Sequence, residues 1–479
     1  MHTISDNDLY QRLAYDNPWW EFSDETKVKF RHPPRRMYYQ QFYERVRNLS
    51  AAPSKIHVLA GPLRSGKTVI LRQLLAELIE DGLAPSRVMY CSMTTPSYAA
   101  TDLLALFELF TRQFRHKPNQ RLYVFFDEVQ YIEGWQEALH KLKEIRPTTE
   151  IIAAVSSGSP ALVTGTIDQE KMIETTILPP LTFLEFLKFR GTDEKLFISP
   201  NEQPDEGPGK VMLRQNAMGA LNTEFHRYVN FGGFLEGVIA GSDGTPAPAF
   251  IRDGAADRVL HKDFASLHGV NDPQDLNRLL GLVAYNTGRE VSIDDLAKST
   301  RIAKNTVRKY LDYLEHAFLI HRVSRIDRDA KRFQRAMAFK VYLTTPCLYA
   351  ALFGPVKMED PVYARLVETA LVGQWLGSVS IDQLAYASWR GGSVDLVTMN
   401  PQTDQPSRVY DLDWENSYGR KSKGPAGLVS FVEGTNRDAK VYILDRSTAR
   451  PASMRGIEIT LAPVSLYAYM IGRNPEMIA

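Results

Sequence analysis

Gly61-Pro62-Leu63-Arg64-Ser65-Gly66-Lys67-Thr68 satisfies the pattern G-x-x-x-x-G-K-[ST] at every fixed position, and its flanks decide the fold. Before it, Ile56-His57-Val58-Leu59-Ala60 is an apolar run of strand character. After it, residues 69–79 (VILRQLLAELI) carry apolar side chains at helical spacing. The loop is therefore expected to join a strand to the start of a helix. There, unpaired backbone N–H groups and the positive end of the helix dipole face the β- and γ-phosphates of a nucleoside triphosphate. The eight residues of the loop form the cradle, Lys67 adds a point charge, and Thr68 is placed to ligate Mg²⁺.

The same alternation of strand and helix continues outward. A strand is read at 87–91 and a helix over 103–114. A third strand, Leu122-Tyr123-Val124-Phe125-Phe126, runs directly into Asp127-Glu128. An aspartate at the C-terminal edge of such a strand would hold Mg²⁺, and the following glutamate would orient or polarise the attacking water. A fourth strand, Ile151-Ile152-Ala153-Ala154-Val155, ends in Ser156-Ser157-Gly158-Ser159, where Ser157 is the candidate for sensing the γ-phosphate. Strand–helix repeats of this kind predict a parallel sheet whose nucleotide crevice lies at the strand C-termini. The catalytic set is Lys67, Asp127 and Glu128, with ATP and Mg²⁺ as the implied ligands.

Composition sets limits around this reading. A chain of 479 residues, 44% hydrophobic, is too long for one ordinary core. Lys plus Arg (57) and Asp plus Glu (56) nearly cancel, so any nucleic-acid site must be a local patch. Two cysteines exclude a disulfide framework and a cysteine-rich zinc site, and no run of 18 apolar residues occurs. A soluble cytoplasmic protein without membrane contact is expected. The ten histidines show no H-E-x-x-H or similar ligand spacing.

Several further stretches bear a family resemblance. They are Asp16-Asn17-Pro18-Trp19-Trp20, the phosphate loop, Phe126-Asp127-Glu128-Val129-Gln130, Leu178-Pro179-Pro180-Leu181-Thr182-Phe183-Leu184-Glu185-Phe186, Phe231-Gly232-Gly233-Phe234 and Phe339-Lys340-Val341-Tyr342-Leu343. With these the chain resembles prokaryotic P-loop ATPases of the AAA+/STAND-like branch that carry a C-terminal DUF4143-type region. The resemblance implies an α/β P-loop NTPase parallel sheet of ASCE/AAA+ type. After it come a helical domain, a winged helix-turn-helix and a degenerate α/β domain similar to PD-(D/E)XK nucleases. Where relatives often carry Gly-Arg ahead of the Leu-Pro-Pro-Leu stretch, this chain has Lys171-Met172. Arg258 and Lys262 are then the alternative cations for a site shared between subunits.

The expected domains are an N-terminal extension (1–49), the ATPase core (50–190), a helical lid-like domain with a polar loop insertion near 198–210 (191–270), the winged helix (271–345) and the nuclease-like domain (346–479). In the winged helix, residues 304–314 read as a second helix with Val307, Leu311 and Leu314 inside and Lys304, Asn305, Arg308 and Lys309 outside. Residues 298–340 hold twelve basic side chains against four acids, which suggests a phosphate-backbone footprint for duplex DNA. Aromatics do not interleave with them as a single-strand platform requires. In the last domain Glu368, Asp395 and Asp411 match the nuclease carboxylates in order, while Asp413 stands where the lysine belongs. That reversal favours a structural or binding role over cutting; Lys421 or Lys423 is the alternative for a displaced amine, though residues 418–424 read more simply as a solvated basic loop. The leading expectation is a Mg²⁺-dependent, DNA-associated ATPase. A nucleotide-switched signalling or scaffold protein that recruits protein partners or self-associates is the alternative, and an ATP-regulated nuclease a third.

Overall fold

A computed structural model describes residues 4–21, 34–47, 55–99, 101–156, 172–198, 212–235, 238, 272–333, 338–414 and 425–473. Ser157, Lys171, Arg258, Lys262, Lys421, Lys423 and nearly all of the 198–210 loop lie outside the described residues. The chain divides into two compact units, Met1–Leu178 and Pro179–Ala479.

The first unit is built on five parallel strands: β1 (Ile56–Ala60), β2 (Val88–Ser92), β3 (Tyr123–Asp127), β4 (Glu150–Val155) and β5 (Ile173–Ile177). Their order is β2-β3-β4-β1-β5. Strands β1, β3 and β4 are buried along their whole length, as expected of a parallel sheet covered on both faces. One face carries Leu59, Val88, Tyr90, Tyr123, Phe125, Ile152 and Ala154. It packs on α2 (Tyr38–Arg47) and on α3 (Lys67–Glu80), the helix that follows the loop. Strand β5 was not legible as a strand because its sequence, Ile-Glu-Thr-Thr-Ile, is half polar; it is an edge, where one side needs no apolar cover.

The opposite edge, β2, is closed by the N-terminal segment. After α1 (Asp6–Asp16), the Asn17 amide completes the ladder of β2. Its Nδ2 donates to the Tyr90 carbonyl (2.9 Å) and its Oδ1 accepts from the Tyr90 N–H (2.6 Å). The indole nitrogens of Trp19 and Trp20 both donate to the Val88 carbonyl. The Asn-Pro-Trp-Trp stretch thus acts as an edge cover that satisfies backbone groups a neighbouring strand would otherwise satisfy.

In the second unit, α6 (Phe183–Phe189) begins with a capping box between Thr182 and Glu185. The Leu181 N–H donates to the Gly233 carbonyl (2.8 Å), and the Tyr228 hydroxyl, on α7 (Met218–Phe231), donates to the Leu181 carbonyl (2.8 Å). Gly233 has φ +100, and a Cβ there would lie 2.4 Å from the Thr345 hydroxyl. The Leu-Pro-Pro-Leu and Phe-Gly-Gly-Phe stretches therefore pack on each other.

Residues 273–343 run in the order α8 (Pro273–Tyr285), β6 (Arg289–Ser292), α9 (Ile293–Thr300), α10 (Lys304–His316), β7 (Ile320–Ile326) and β8 (Ala338–Leu343). After α11 (Cys347–Phe353) and α12 (Tyr363–Trp375) come β9 (Leu384–Trp389), β10 (Gly392–Met399), β11 (Pro406–Asp413), α13 (Ala426–Gly434), β12 (Lys440–Asp445), β13 (Arg450–Met454), β14 (Ile457–Pro463) and α14 (Val464–Arg473). The nine strands share one sheet, ordered β13-β14-β12-β11-β10-β9-β7-β8-β6. Strands on the two sides of residues 345–346 meet where β7 pairs with β9 in parallel, Ser324 opposite Ala385. Among the described residues no helix is long and apolar enough to cross a membrane.

Within β1, His57 is 5% exposed, and burial lowers its pKa to about 4 although Glu174 nearby pulls the other way. The folded protein holds His57 neutral, whereas the unfolded chain binds a proton below pH 6.5. Stability linked to this residue is thus present above pH 6.5 and is lost as the pH falls toward 4. At pH 4.5 the loss should be about 2–3 kcal/mol. Denaturant unfolding of the wild type and of His57→Gln at pH 7 and pH 4.5 should show a smaller acid-induced loss in the variant; equal losses would refute the linkage.

Candidate functional site

The phosphate loop sits where β1 ends. Gly66, at φ +97, takes the left-handed turn into α3, and Gly61 passes so close to β5 that a Cβ would lie 2.1 Å from the Leu178 carbonyl oxygen. Lys67 is 3% exposed, and its Nζ donates to the carbonyls of Gly61 (2.9 Å) and Pro62 (2.8 Å). The ammonium is thereby held over the concave side of its own loop. Arg36, from the segment leading into α2, is buried and donates to the Ser65 carbonyl (2.6 Å). No motif points to this arginine, since 29 residues separate it from its partner.

Strand β4 lies between β1 and β3, so the loop and the acid Asp127 are not on neighbouring strands. They meet nonetheless: Thr68 Oγ1 donates to Asp127 Oδ2 at 2.7 Å. Asp127 is 2% exposed, and the same oxygen accepts from the Tyr90 hydroxyl at 2.8 Å, while Oδ1 is buried with no hydrogen-bond partner. Burial raises the pKa of Asp127, the charge of Glu128 raises it further, and the donors Thr68 and Tyr90 with the Lys67 charge oppose the rise. An acceptor oxygen left bare in the interior, beside a threonine hydroxyl and a phosphate loop, fits a divalent cation with oxygen ligands. Thr68 and Asp127 are the residues that would hold it.

Glu128 adopts φ +54, a left-handed conformation uncommon for a residue with a side chain. Its carboxylate accepts from Ser156 Oγ (2.8 Å) and from Gln130 Nε2 (2.5 Å), and the Ser156 N–H donates to Gln130 Oε1 (3.3 Å). Tyr90 and Gln130 escaped the sequence reading as site residues because each acts through a contact that no motif spacing encodes. The sensor was expected at Ser157 or its neighbours; the described residue of that stretch that touches Glu128 is Ser156.

The other candidates fall in the second unit. Lys304, Asn305, Arg308 and Lys309 are exposed on α10, as expected. Lys304 pairs with Asp294 (2.9 Å), Arg308 bonds Asn305 (2.9 Å), and Lys309 lies over the Tyr313 ring. The basic excess counted along 298–340 shrinks in space. Arg322 is tied to Asp312 (2.8 Å) and Glu315, and Lys340 points inward.

Lys340 Nζ lies 2.7 Å from Glu368 Oε1, 3.6 Å from Asp395 Oδ1 and 3.2 Å from the Asp395 carbonyl. The Tyr342 hydroxyl also donates to Glu368 Oε1 (2.5 Å), and Asp395 Oδ2 accepts from the Leu412 N–H (3.0 Å). Burial works against the Lys340 ammonium, but the carboxylates of Glu368 and Asp395 outweigh it and hold its pKa above the ordinary value. Burial raises the pKa of Glu368, with Lys340 opposing. A register shift in the β9–β10 pairing puts one extra residue into β10 beside Asp395. Glu368 and Asp395 thus come together around a lysine from β8, while Lys421 and Lys423 lie outside the described residues. Asp411, opposite Ile443 on β12, does not complete a carboxylate triad: among the described residues no three His, Cys, Asp or Glu side chains are placed to hold a metal ion.

Comparison with known proteins agrees with the first unit and revises the second. Residues 53–187 match the AAA domain family. Residues 222–359 match a domain of unknown function, DUF8612, where a DUF4143-type region was expected. An uncharacterized protein of Haemophilus influenzae is 27% identical over 291 residues, 59% of this chain and 66% of its own length, so the chain spans just under two thirds of that relative. An uncharacterized protein of Methanocaldococcus jannaschii is 24% identical over 394 residues, 81% of this chain and 82% of that one. Among solved structures, Aeropyrum pernix ORC1 in complex with DNA is similar at 13% identity over 70% of this chain and 94% of its own, TM-score 0.29. AMPPCP-bound DnaA from Aquifex aeolicus follows at 17% identity over 58% and 87%, TM-score 0.29. At that level of superposition, what those proteins bind does not transfer to this chain.

The raised pKa of Asp127 means that the folded protein binds a proton more tightly than the unfolded chain, so its ionisation costs stability as the pH rises above the ordinary carboxylate range. Asp127→Asn should raise the melting temperature of the ligand-free protein. A variant that melts lower without ligand would contradict the burial argument. Residues 53–187, which match the AAA domain family, carry the five parallel strands and phosphate loop of an α/β P-loop NTPase fold.

Proposed function

We propose that this protein binds and hydrolyses ATP with Mg²⁺ and contacts duplex DNA through residues 273–343. The observation that carries the first part is the 2.7 Å bond between Thr68 and Asp127 across an intervening strand, with Glu128 next in sequence. Phosphoryl transfer to water asks the protein mainly for positioning and charge stabilisation. Backbone N–H groups of Gly66, Lys67 and Thr68, at the start of α3, bind the phosphates. Lys67 exchanges its two loop carbonyls for phosphate oxygens and stabilises charge that grows on the β/γ bridge. When bound, Mg²⁺ supplies further charge neutralisation on the β- and γ-oxygens, held by Thr68 and Asp127. Glu128 accepts the hydrogen bond of the attacking water and fixes its line of approach.

The order α8-β6-α9-α10-β7-β8 supports the winged-helix reading, in which α10 is the second helix of the helix-turn-helix and β7–β8 the wing. Exposed Lys304, Arg308 and Lys309 support backbone contact with duplex DNA. The pairing of Arg322 and the inward turn of Lys340 favour a smaller footprint than the linear count, and hence a steeper dependence on the cations of α10.

Steady-state hydrolysis by the wild type and by Glu128→Gln, each with and without duplex DNA at two salt concentrations, tests both parts. Glu128→Gln should lower kcat at least about 100-fold. DNA should raise wild-type turnover at low salt only, and Arg308→Glu with Lys309→Glu should remove that rise while sparing basal turnover. Equal rates for wild type and Glu128→Gln would refute the ATPase. Glutamate-dependent turnover indifferent to DNA would move the assignment to a nucleotide-switched scaffold.

A further inference from the structure

We infer that Gln130 is a positioning residue for hydrolysis: its side-chain amide bridges the Glu128 carboxylate to the main chain at the end of β4 and so fixes the direction in which Glu128 presents its oxygens. The inference rests on the reading of Glu128 as the water-orienting group.

Gln130 lies in the single turn Val129–Tyr131 that follows β3 and is 7% exposed. Its two polar ends are both engaged. Nε2 donates to Glu128 Oε2 at 2.5 Å, and Oε1 accepts from the Ser156 N–H at 3.3 Å. Ser156 Oγ closes the ring by donating to Glu128 Oε1 at 2.8 Å. Each carboxylate oxygen of Glu128 thus has one donor, and the two donors are joined to each other. The pair of bonds also holds a backbone that resists this geometry, since φ of +54 is strained at a residue bearing a side chain.

A carboxylate on two flexible bonds beside solvent has many rotamers, and only those that aim a lone pair at the water in line with the γ-phosphate assist attack. Two donors fixed to two different strand ends select one carboxylate plane and leave the second lone pair of each oxygen for the water. A serine hydroxyl alone, free to rotate, would not select a plane. An amide does, because both of its ends are anchored. A side chain of this length is required as well: aspartate or asparagine would not span from the turn to β4.

Gln130→Met keeps the volume of the side chain and removes both polar ends. Gln130→Glu keeps the shape and replaces the donor by a carboxyl that can donate only when protonated. Binding of a non-hydrolysable ATP analogue with Mg²⁺, melting temperature and steady-state hydrolysis from pH 6 to pH 8 would be measured for both variants, the wild type and Glu128→Gln. In Gln130→Met, kcat should fall about 10- to 100-fold with analogue affinity within about twofold of wild type. In Gln130→Glu, two carboxyl groups in contact raise the pKa of the pair, so the ratio of variant to wild-type kcat should climb as the pH falls from 8 to 6. Wild-type kcat in Gln130→Met, or equal losses of affinity, melting temperature and kcat with a flat pH ratio in Gln130→Glu, would overturn the inference while leaving the ATPase reading intact. Equal turnover by wild type and Glu128→Gln would overturn both.

Discussion

A carboxylate buried at the end of a hydrophobic strand constrains most of the first unit. Asp127 closes β3, whose preceding residues are all apolar, and its environment penalises the charge that nucleotide chemistry requires. The fold answers with donors brought from three directions: Thr68 from the phosphate loop, Tyr90 from β2 and, at longer range, the Lys67 ammonium. Tyr90 is itself held at both main-chain groups by Asn17 and has Arg72 over its ring. The N-terminal segment is therefore two contacts from the candidate catalytic acid. Removing the segment would uncover the edge of β2 and loosen the residue that shares Asp127 Oδ2, which explains why a stretch far from the motifs has so many buried side chains.

The parts of this site that were legible in the sequence are those in which backbone chemistry and position coincide. A glycine loop between strand and helix declares itself because φ of +97 at Gly66 and the close approach at Gly61 admit little else. Asp127 and Glu128 were legible because the apolar strand they end follows the phosphate loop by 59 residues with a strand and a helix between, whereas an apolar strand ending in an acid is by itself common. Arg36, Tyr90 and Gln130 were not, because each reaches its partner through tertiary contacts or side-chain rotamers. Gln130 stood in a quoted motif with no role attached, and only the position of Ser156 gives it one. Likewise the insertion of β4 between β1 and β3 is a non-local pairing that strand propensity does not encode.

The second unit teaches the opposite caution, since there the linear record overstated function. Basic residues near one another in sequence alternate across β7 and β8, so the pleat sends some outward and draws others against acids of α10 and α12. Arg322 belongs to a network with Asp312 and Glu315, and Lys340 to one with Glu368 and Asp395. Neither contributes to an exposed field. The shortfall of a lysine at Asp413 was read from a motif, while the structure places an amine beside the same carboxylates from a strand about seventy residues earlier in the chain.

The two acidic centres differ in a way that bears on which of them acts. At Asp127 one oxygen carries two donors and the other carries none, although both are buried. An interior acceptor without a partner is unfavourable unless something else binds it, and a cation offered by the bound nucleotide would do so. At Glu368 the same oxygen receives an ammonium and a phenol, and Asp395 is engaged by the Leu412 N–H and by Lys340. Those charges are answered from within the chain. Any cation that entered would have to displace Lys340 from a buried pair, which leaves an uncompensated charge behind and is strongly unfavourable. The geometry thus favours the first unit as the place for a ligand-dependent site, and in the second the cluster joins β8 to α12 and β10.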